Sequence, residues 1–190
     1  MNSSAPNIIG ITGPFGSGKT TASAFFETKG YKVIVLSSFL EEEAKKRKLT
    51  VTRKVLQDLG NEWRKLYGHG ILMEKALKGV GKDQKAVIDG IRNLGELQVL
   101  KKKKGILLAI IADRKVRYER LKNLKRREKL TPSLFEKLDL RDIGVNEKIT
   151  GLQTAFCIVL ADVFIDSNTG MPDFKKKLET FLKQYGKQST

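Results

Sequence analysis

Gly13, Gly18, Lys19 and Thr20 stand in the order Gly-x-x-x-x-Gly-Lys-Thr, the Walker A spacing of a loop that wraps a polyphosphate. Pro14, Phe15, Gly16 and Ser17 fill the gap. Glycines there let backbone N–H groups approach phosphate oxygens, and a helix opening near Lys19 turns its positive dipole end toward the same anion. Lys19 is expected to reach the β- and γ-phosphates, the Thr20 hydroxyl to ligate Mg²⁺, and Thr21 to add a hydroxyl near the α-phosphate. The motif therefore implies ATP or another nucleoside triphosphate, with Mg²⁺.

A second group could act on that ligand. Asp89 closes the apolar run Ala86-Val87-Ile88. In a parallel α/β sheet, ligands bind at the carboxyl ends of the strands. Asp89 is thus placed to hold Mg²⁺ through water or to take a proton from an attacking group; the plain alternative is a strand-end Asp that caps its loop. Phosphoryl transfer also needs cations around the moving oxygens. Arg53, Arg64 and Arg92 fall near strand ends or on helices that could cover an acceptor. Arg117, Arg120, Arg126 and Arg127 fall on or near a charged segment. The alternative for each is a solvated surface arginine.

The elements that must position these residues alternate. Residues 8–12 read as a buried strand that stops at Gly13. A helix follows from Lys19, with Ala22, Phe25 and Phe26 inward and Gly30 as its stop. Residues 32–36 read as a second strand. Ser38 and Glu41 form a capping-box pattern, opening a helix that runs from acidic (Glu41 to Glu43) to basic (Lys45 to Lys48), as the dipole prefers. Val55, Leu59, Trp63 and Leu66 recur at helical spacing, which makes Trp63 a core residue. Gly68 and Gly70 break that helix around His69, read as a loop histidine. Residues 86–89 are a third strand, and Asn93 with Glu96 gives a capping pattern before a helix bearing Leu97 and Leu100. Residues 105–112 are the fourth and most apolar strand. Asp113 caps a basic helix with Val116, Leu121 and Leu124. Residues 125–148 are charged and poor in large apolar side chains, which suits a movable segment; Thr131-Pro132 there reads as a cap followed by an N1 proline. A buried helix over 151–161, a fifth strand over 163–165, and an amphipathic helix carrying Phe174, Leu178, Phe181 and Tyr185 complete the chain. Five strands separated by helices imply a mostly parallel sheet covered on both faces.

Composition agrees. The 190 residues, 40% hydrophobic and 31% charged, suit one folded domain spanning 1–190. Lys and Arg total 37 against 21 Asp and Glu, a net charge of +16. That favours anionic partners, or solubility alone. The single cysteine, Cys157, forms no intramolecular disulfide and sits in an apolar run as a small hydrophobe. With only His69 beside it, a Cys/His zinc site and zinc-deaminase chemistry are excluded. The start Met1-Asn2-Ser3-Ser4 has no basic n-region, and the longest apolar run, 106–112, is far too short to cross a membrane. The expectation is a cytoplasmic protein with no membrane partner.

The chain resembles the P-loop nucleoside monophosphate kinase group, and within it the deoxynucleoside monophosphate kinase and dephospho-CoA kinase-like branch. The matching residues run from Gly10 through the Walker A motif to Thr21. They continue through Leu36-Ser37-Ser38, Thr52-Arg53, 56–62, Tyr67-Gly68 with Gly70, 87–93 with Gly95-Glu96, 117–121, Ala161-Asp162 and 168–170. The resemblance implies a P-loop NTPase three-layer α/β/α fold of class α/β, with a small lid over approximately 122–148. It implies an ATP- and Mg²⁺-dependent phosphotransferase acting on a (deoxy)nucleoside monophosphate. Gly13 to Thr21, with Asn168 and Gly170, would hold the donor. Ser37, Ser38, Arg53, Arg64 and Arg92 would face the acceptor. Lys19, Asp89, Arg92 and Arg120 would act in transfer, and Thr20 and Asp89 would hold the metal. Arg126 or Arg127 would approach the phosphates on closure. Two other readings stay open: a nucleotide-binding regulatory module without turnover, and a nucleic-acid-directed protein suggested by the charge and by the runs Lys101 to Lys104 and Lys175 to Lys177. A monomer and a homodimer are both compatible with the sequence.

Overall fold

The computed structural model describes residues 7–122 and 130–187. β1 (Ile8–Thr12), β2 (Lys32–Val35), β3 (Ala86–Asp89), β4 (Ile106–Ile111) and β5 (Val163–Asp166) form one sheet in the order β2-β3-β1-β4-β5. Every neighbouring pair is parallel, and parallel neighbours need crossovers. The helices supply them: α1 (Lys19–Thr28), α2 (Leu36–Lys46), α3 (Arg53–Tyr67), α4 (Ile71–Lys78), α5 (Leu94–Lys102), α6 (Arg114–Lys122), α7 (Pro132–Ile143), α8 (Thr154–Val159) and α9 (Met171–Lys187). The expected α/β class and three-layer α/β/α arrangement are what the chain adopts.

Alternate strand residues feed opposite layers, as the two-residue period requires. Val87, Leu108 and Ile110 pack with Ala22, Phe26, Leu178 and Phe181 under α1 and α9. Ala86, Ile88 and Leu107 pack with Leu36, Leu59, Trp63, Met73 and Leu100 under α2 to α5. A third, smaller cluster joins Phe15, Leu121 and Phe135. Cys157 is buried in the second layer named. Among the described residues, no helix is long and apolar enough to cross a membrane.

Local signals differ in how they resolve. Asn93 and Glu96 make the complete capping box of α5, and Thr131 caps α7 with Pro132 at its start. Ser38 and Glu41 do not open α2. That helix begins at Leu36, directly after β2, with Val35 at its cap position. Ser38 therefore lies inside the first turn, and its hydroxyl donates back to the Val35 carbonyl at 2.8 Å. In α3 the buried face passes through Leu56, Leu59 and Trp63, and Leu66 is 60% exposed. The helix over 151–161 shortens to α8, with Phe156, Val159 and Leu160 exposed. The helix α4 fills a stretch the periodicity left unassigned. Phe135 and Leu138 of α7 are buried, so the later part of the charged segment carries a packed helix. Leu124, Arg126 and Arg127 lie outside the described residues.

Candidate active site

The parallel register sets the site's depth. Asp89 pairs in register with Ile11 of β1 and Val35 of β2, so the carboxylate ends its strand beside the point where β1 turns into the loop. Gly13 makes that turn at φ 141°, and a Cβ there would lie 2.0 Å from the Ile110 carbonyl oxygen. Gly18 caps α1 at φ 96° with no side-chain hydrogen bond. The first-turn N–H groups of α1 are thus left for an anion. The Ser17 Oγ is buried beside them with no hydrogen-bond partner among the described residues.

Lys19 is 8% exposed and folds back onto its own loop. Its Nζ donates to the Gly13 carbonyl at 2.8 Å and the Pro14 carbonyl at 2.9 Å. Burial, and then the positive charge of Arg92, push its pKa down to about 7, against the pull of Asp142 and Asp89. A cation destabilised in this way gains most from an incoming phosphate. Asp89 is also buried, and its Oδ2 accepts from the Ser23 hydroxyl at 2.9 Å. Thr20 is exposed and Thr21 half-buried on the first turn of α1.

A cavity of about 910 Å³ opens over this loop. Phe15 to Thr21 line it from below, with Ser37, Arg53, Arg64, Asp89, Arg92 and Arg120 around it. The expected site residues are therefore largely gathered in one place. Ser38 turns toward Val35 instead. Asn168 exchanges hydrogen bonds with Asp113, accepting from its backbone N–H at 2.8 Å and donating to its carboxylate at 3.2 Å. Between Asn168 and Gly170, Thr169 lines the cavity.

The arginines already have internal partners. Arg53 and Arg92 both donate to Asp142 Oδ1, Arg53 at 2.6 Å, and the Arg53 guanidinium lies 4.1 Å above the Phe15 ring. Asp142 is fully buried on α7. Burial alone would raise its pKa, but Arg92, Arg53 and Lys19 outweigh burial and hold it below the ordinary carboxylate range. Arg64 Nε donates to Glu96 Oε1 at 3.0 Å. Arg117 clamps the loop to α7, donating to the Phe15 carbonyl at 3.0 Å and, through both terminal nitrogens, to Asp139. Arg120 holds both the hydroxyl and the carbonyl of Ser167, and the Ser167 hydroxyl donates to the Ser17 carbonyl at 2.7 Å.

Sequence reasoning missed Ser23, Gln57, Asp139, Asp142 and Ser167. For α7 the available signal was spacing: Asp139 and Asp142 stand at i and i+3, on the side that carries Phe135 and Leu138. For Gln57 it was its place between Arg53 and Arg64 on a helix.

The site's parts suit a nucleotide and its divalent cation. The uncapped α1, the orphaned Ser17 hydroxyl and the anion-starved Lys19 fit a polyphosphate. Among the described residues no cluster of three or more His, Cys, Asp or Glu could hold a metal. A cation would thus depend on Thr20, Asp89 and the ligand's own oxygens, an oxygen donor set that suits Mg²⁺.

A family model described as an AAA domain matches residues 9–143. A UPF0200 protein of Sulfurisphaera tokodaii is 35% identical over 178 residues, covering 93% of this chain and 96% of that one. The chain belongs to the AAA domain family, among the UPF0200 proteins. A further UPF0200 protein, from Pyrococcus horikoshii, is 31% identical and covers 90% of this chain and 94% of its own length. In solved structures, this UPF0200 fold is similar to a gluconokinase from Sinorhizobium meliloti, with TM-score 0.58 and 12% identity over 97% of this chain and 96% of that one. It is also similar to a shikimate kinase from Acinetobacter baumannii in complex with shikimate, with TM-score 0.54 and 15% identity over 96% and 93%. At such identities the likeness concerns the fold.

Proposed function

We propose that this protein transfers the γ-phosphate of ATP to a small anionic acceptor, a nucleoside monophosphate or deoxynucleoside monophosphate. The observation that carries this reading is the convergence of Lys19, Asp89, Arg53 and Arg92 on one cavity above an uncapped helix N-terminus. Gly13 to Thr21 bind the donor's phosphates, and Lys19 leaves its loop carbonyls to reach them. Arg120, tied to Ser167, steadies the loop from the α6 side. Arg53 and Arg92 exchange Asp142 for the acceptor's phosphate. Ser23 orients the Asp89 carboxylate, which then takes the acceptor's proton or helps hold the cation. Mg²⁺ would supply charge neutralisation between the donor's phosphates. In-line transfer of this kind relies on positioning and electrostatics, and it needs no covalent intermediate.

The kinships to sugar and hydroxy-acid kinases concern architecture, and the acceptor is a matter for assay. A coupled assay with Mg·ATP and a panel of monophosphates, with gluconate and shikimate alongside, tests the proposal. Turnover of at least one monophosphate is expected. Absence of turnover with every acceptor, in protein that still binds ATP, overturns the phosphotransferase reading. Turnover of gluconate or shikimate alone overturns the nucleotide acceptor.

A further inference from the structure

Among the described residues, Gln57 has no partner for either end of its carboxamide. Nε2 and Oε1 are both buried without a hydrogen bond, and the residue is 5% exposed. A buried amide left in this way is costly, and native proteins rarely tolerate it without a purpose. Its position narrows that purpose. Arg53, Gln57 and Arg64 are separated by four and seven residues, so they share one face of α3, and all three line the cavity. The arginine on one side is matched by Asp142 and the one on the other by Glu96. Gln57, between them, is matched by nothing within the described residues.

The wall is mixed: Leu36, Leu40, Leu56 and Leu72 line the same cavity and belong to the core beneath it, and Ser37 and Glu41 line it as well. A flat heterocycle needs apolar faces and a donor–acceptor pair at one edge. A carboxamide presents such a pair, one N–H and one C=O side by side. Arg53 lies one turn away on the same face, roughly 6 Å along the axis. That separation resembles the distance between phosphate and base within one nucleotide.

We propose that Gln57 reads the donor–acceptor edge of the acceptor's nucleobase, between leucine walls, while Arg53 meets its phosphate. This rests on the reading of the cavity as an acceptor site. Rotation of the amide exchanges its two ends, so the pair accommodates a purine or a pyrimidine.

The test is calorimetric titration of the full chain with AMP, CMP, GMP, UMP and their deoxy forms, with ribose 5-phosphate as the baseless control and Mg·ATP titrated separately. In the wild-type protein at least one nucleotide binds about tenfold or more tightly than ribose 5-phosphate. Gln57→Leu, or Gln57→Met should the first variant not fold, lowers that ratio to about threefold or less. Gln57→Glu, which accepts but does not donate, changes the order of preference among the bases. A wild-type ratio near one overturns the proposal, even where Mg·ATP binds and phosphate is transferred to another acceptor. An undiminished ratio in Gln57→Leu or Gln57→Met also overturns it, and makes the amide a buried residue without a ligand. Failure of Mg·ATP to bind would instead strike the phosphotransferase reading.

Discussion

Replacing Arg64 by methionine strands a carboxylate. Glu96 is fully buried; its Oε1 accepts from Arg64 at 3.0 Å, and its Oε2 accepts from the backbone N–H groups of Arg92 at 2.8 Å and Asn93 at 3.1 Å. Removing one partner of a buried ion pair costs about 3–5 kcal/mol. Arg64 also gives up contacts with Asn61 Oδ1 at 3.2 Å and the Thr150 carbonyl at 3.3 Å, which adds a smaller loss. For a domain of this size the total corresponds to a fall in Tm of about 7–15 °C. Guanidinium unfolding measures it. Adding Glu96→Gln should recover more than half, because glutamine keeps the capping role at that position. The reasoning fails if Arg64→Met costs less than about 1 kcal/mol, or if Glu96→Gln adds its own cost to the first. Loss of acceptor affinity without loss of stability would return Arg64 to the binding role its sequence position suggests.

Other expectations follow from the loop and its surroundings. The lowered pKa of Lys19 means that, between about pH 7 and the ordinary lysine range, the unfolded chain holds the extra proton; stability should rise with pH across that window, and Lys19→Met should flatten the rise. At pH 8, Lys19 should take up a proton from the buffer when Mg·ATP binds, read as a dependence of the binding heat on buffer ionisation enthalpy. Asp142, held low by its arginines, contributes stability above the ordinary carboxylate range that is lost as pH falls through and below it; Asp142→Asn should remove that acid dependence in unfolding curves. Asp89→Asn should lower turnover by about 10²-fold or more and leave ATP binding measurable, whereas Lys19→Ala should abolish binding. Gly13→Ala, with a Cβ at 2.0 Å from the Ile110 oxygen, should cost more than about 3 kcal/mol, seen in the guanidinium midpoint.

The Gly13–Thr20 loop was legible as a motif because its spacing lies within eight consecutive residues. Asp89 was legible because an apolar run ending in a carboxylate already says which end of the sheet it occupies. The capping box of Asn93 and Glu96 closes as its spacing suggests, and the same spacing at Ser38 and Glu41 does not, because β2 runs into α2 without a loop in which Ser38 could stand as a cap. The arginines could be named, but their partners could not. Glu96 is 32 residues from Arg64, and Asp142 is 89 from Arg53; only the folded topology brings them together. Gln57 was least legible, since what sets it apart is a buried carboxamide with no hydrogen bond among the described residues.

The helix that ends at Ile143 is fastened on both sides of the cavity. Asp139 and Phe135 hold it to Arg117 and to Phe15 of the Gly13–Thr20 loop, while Asp142 holds it to Arg53 and Arg92 and Arg141 holds it to Asp58 of α3. A three-turn rod moves as one piece. Under the proposed function, an acceptor phosphate that displaced Asp142 would act through this rod on the Gly13–Thr20 loop, and occupation of that loop would act back on Asp142 by the same factor.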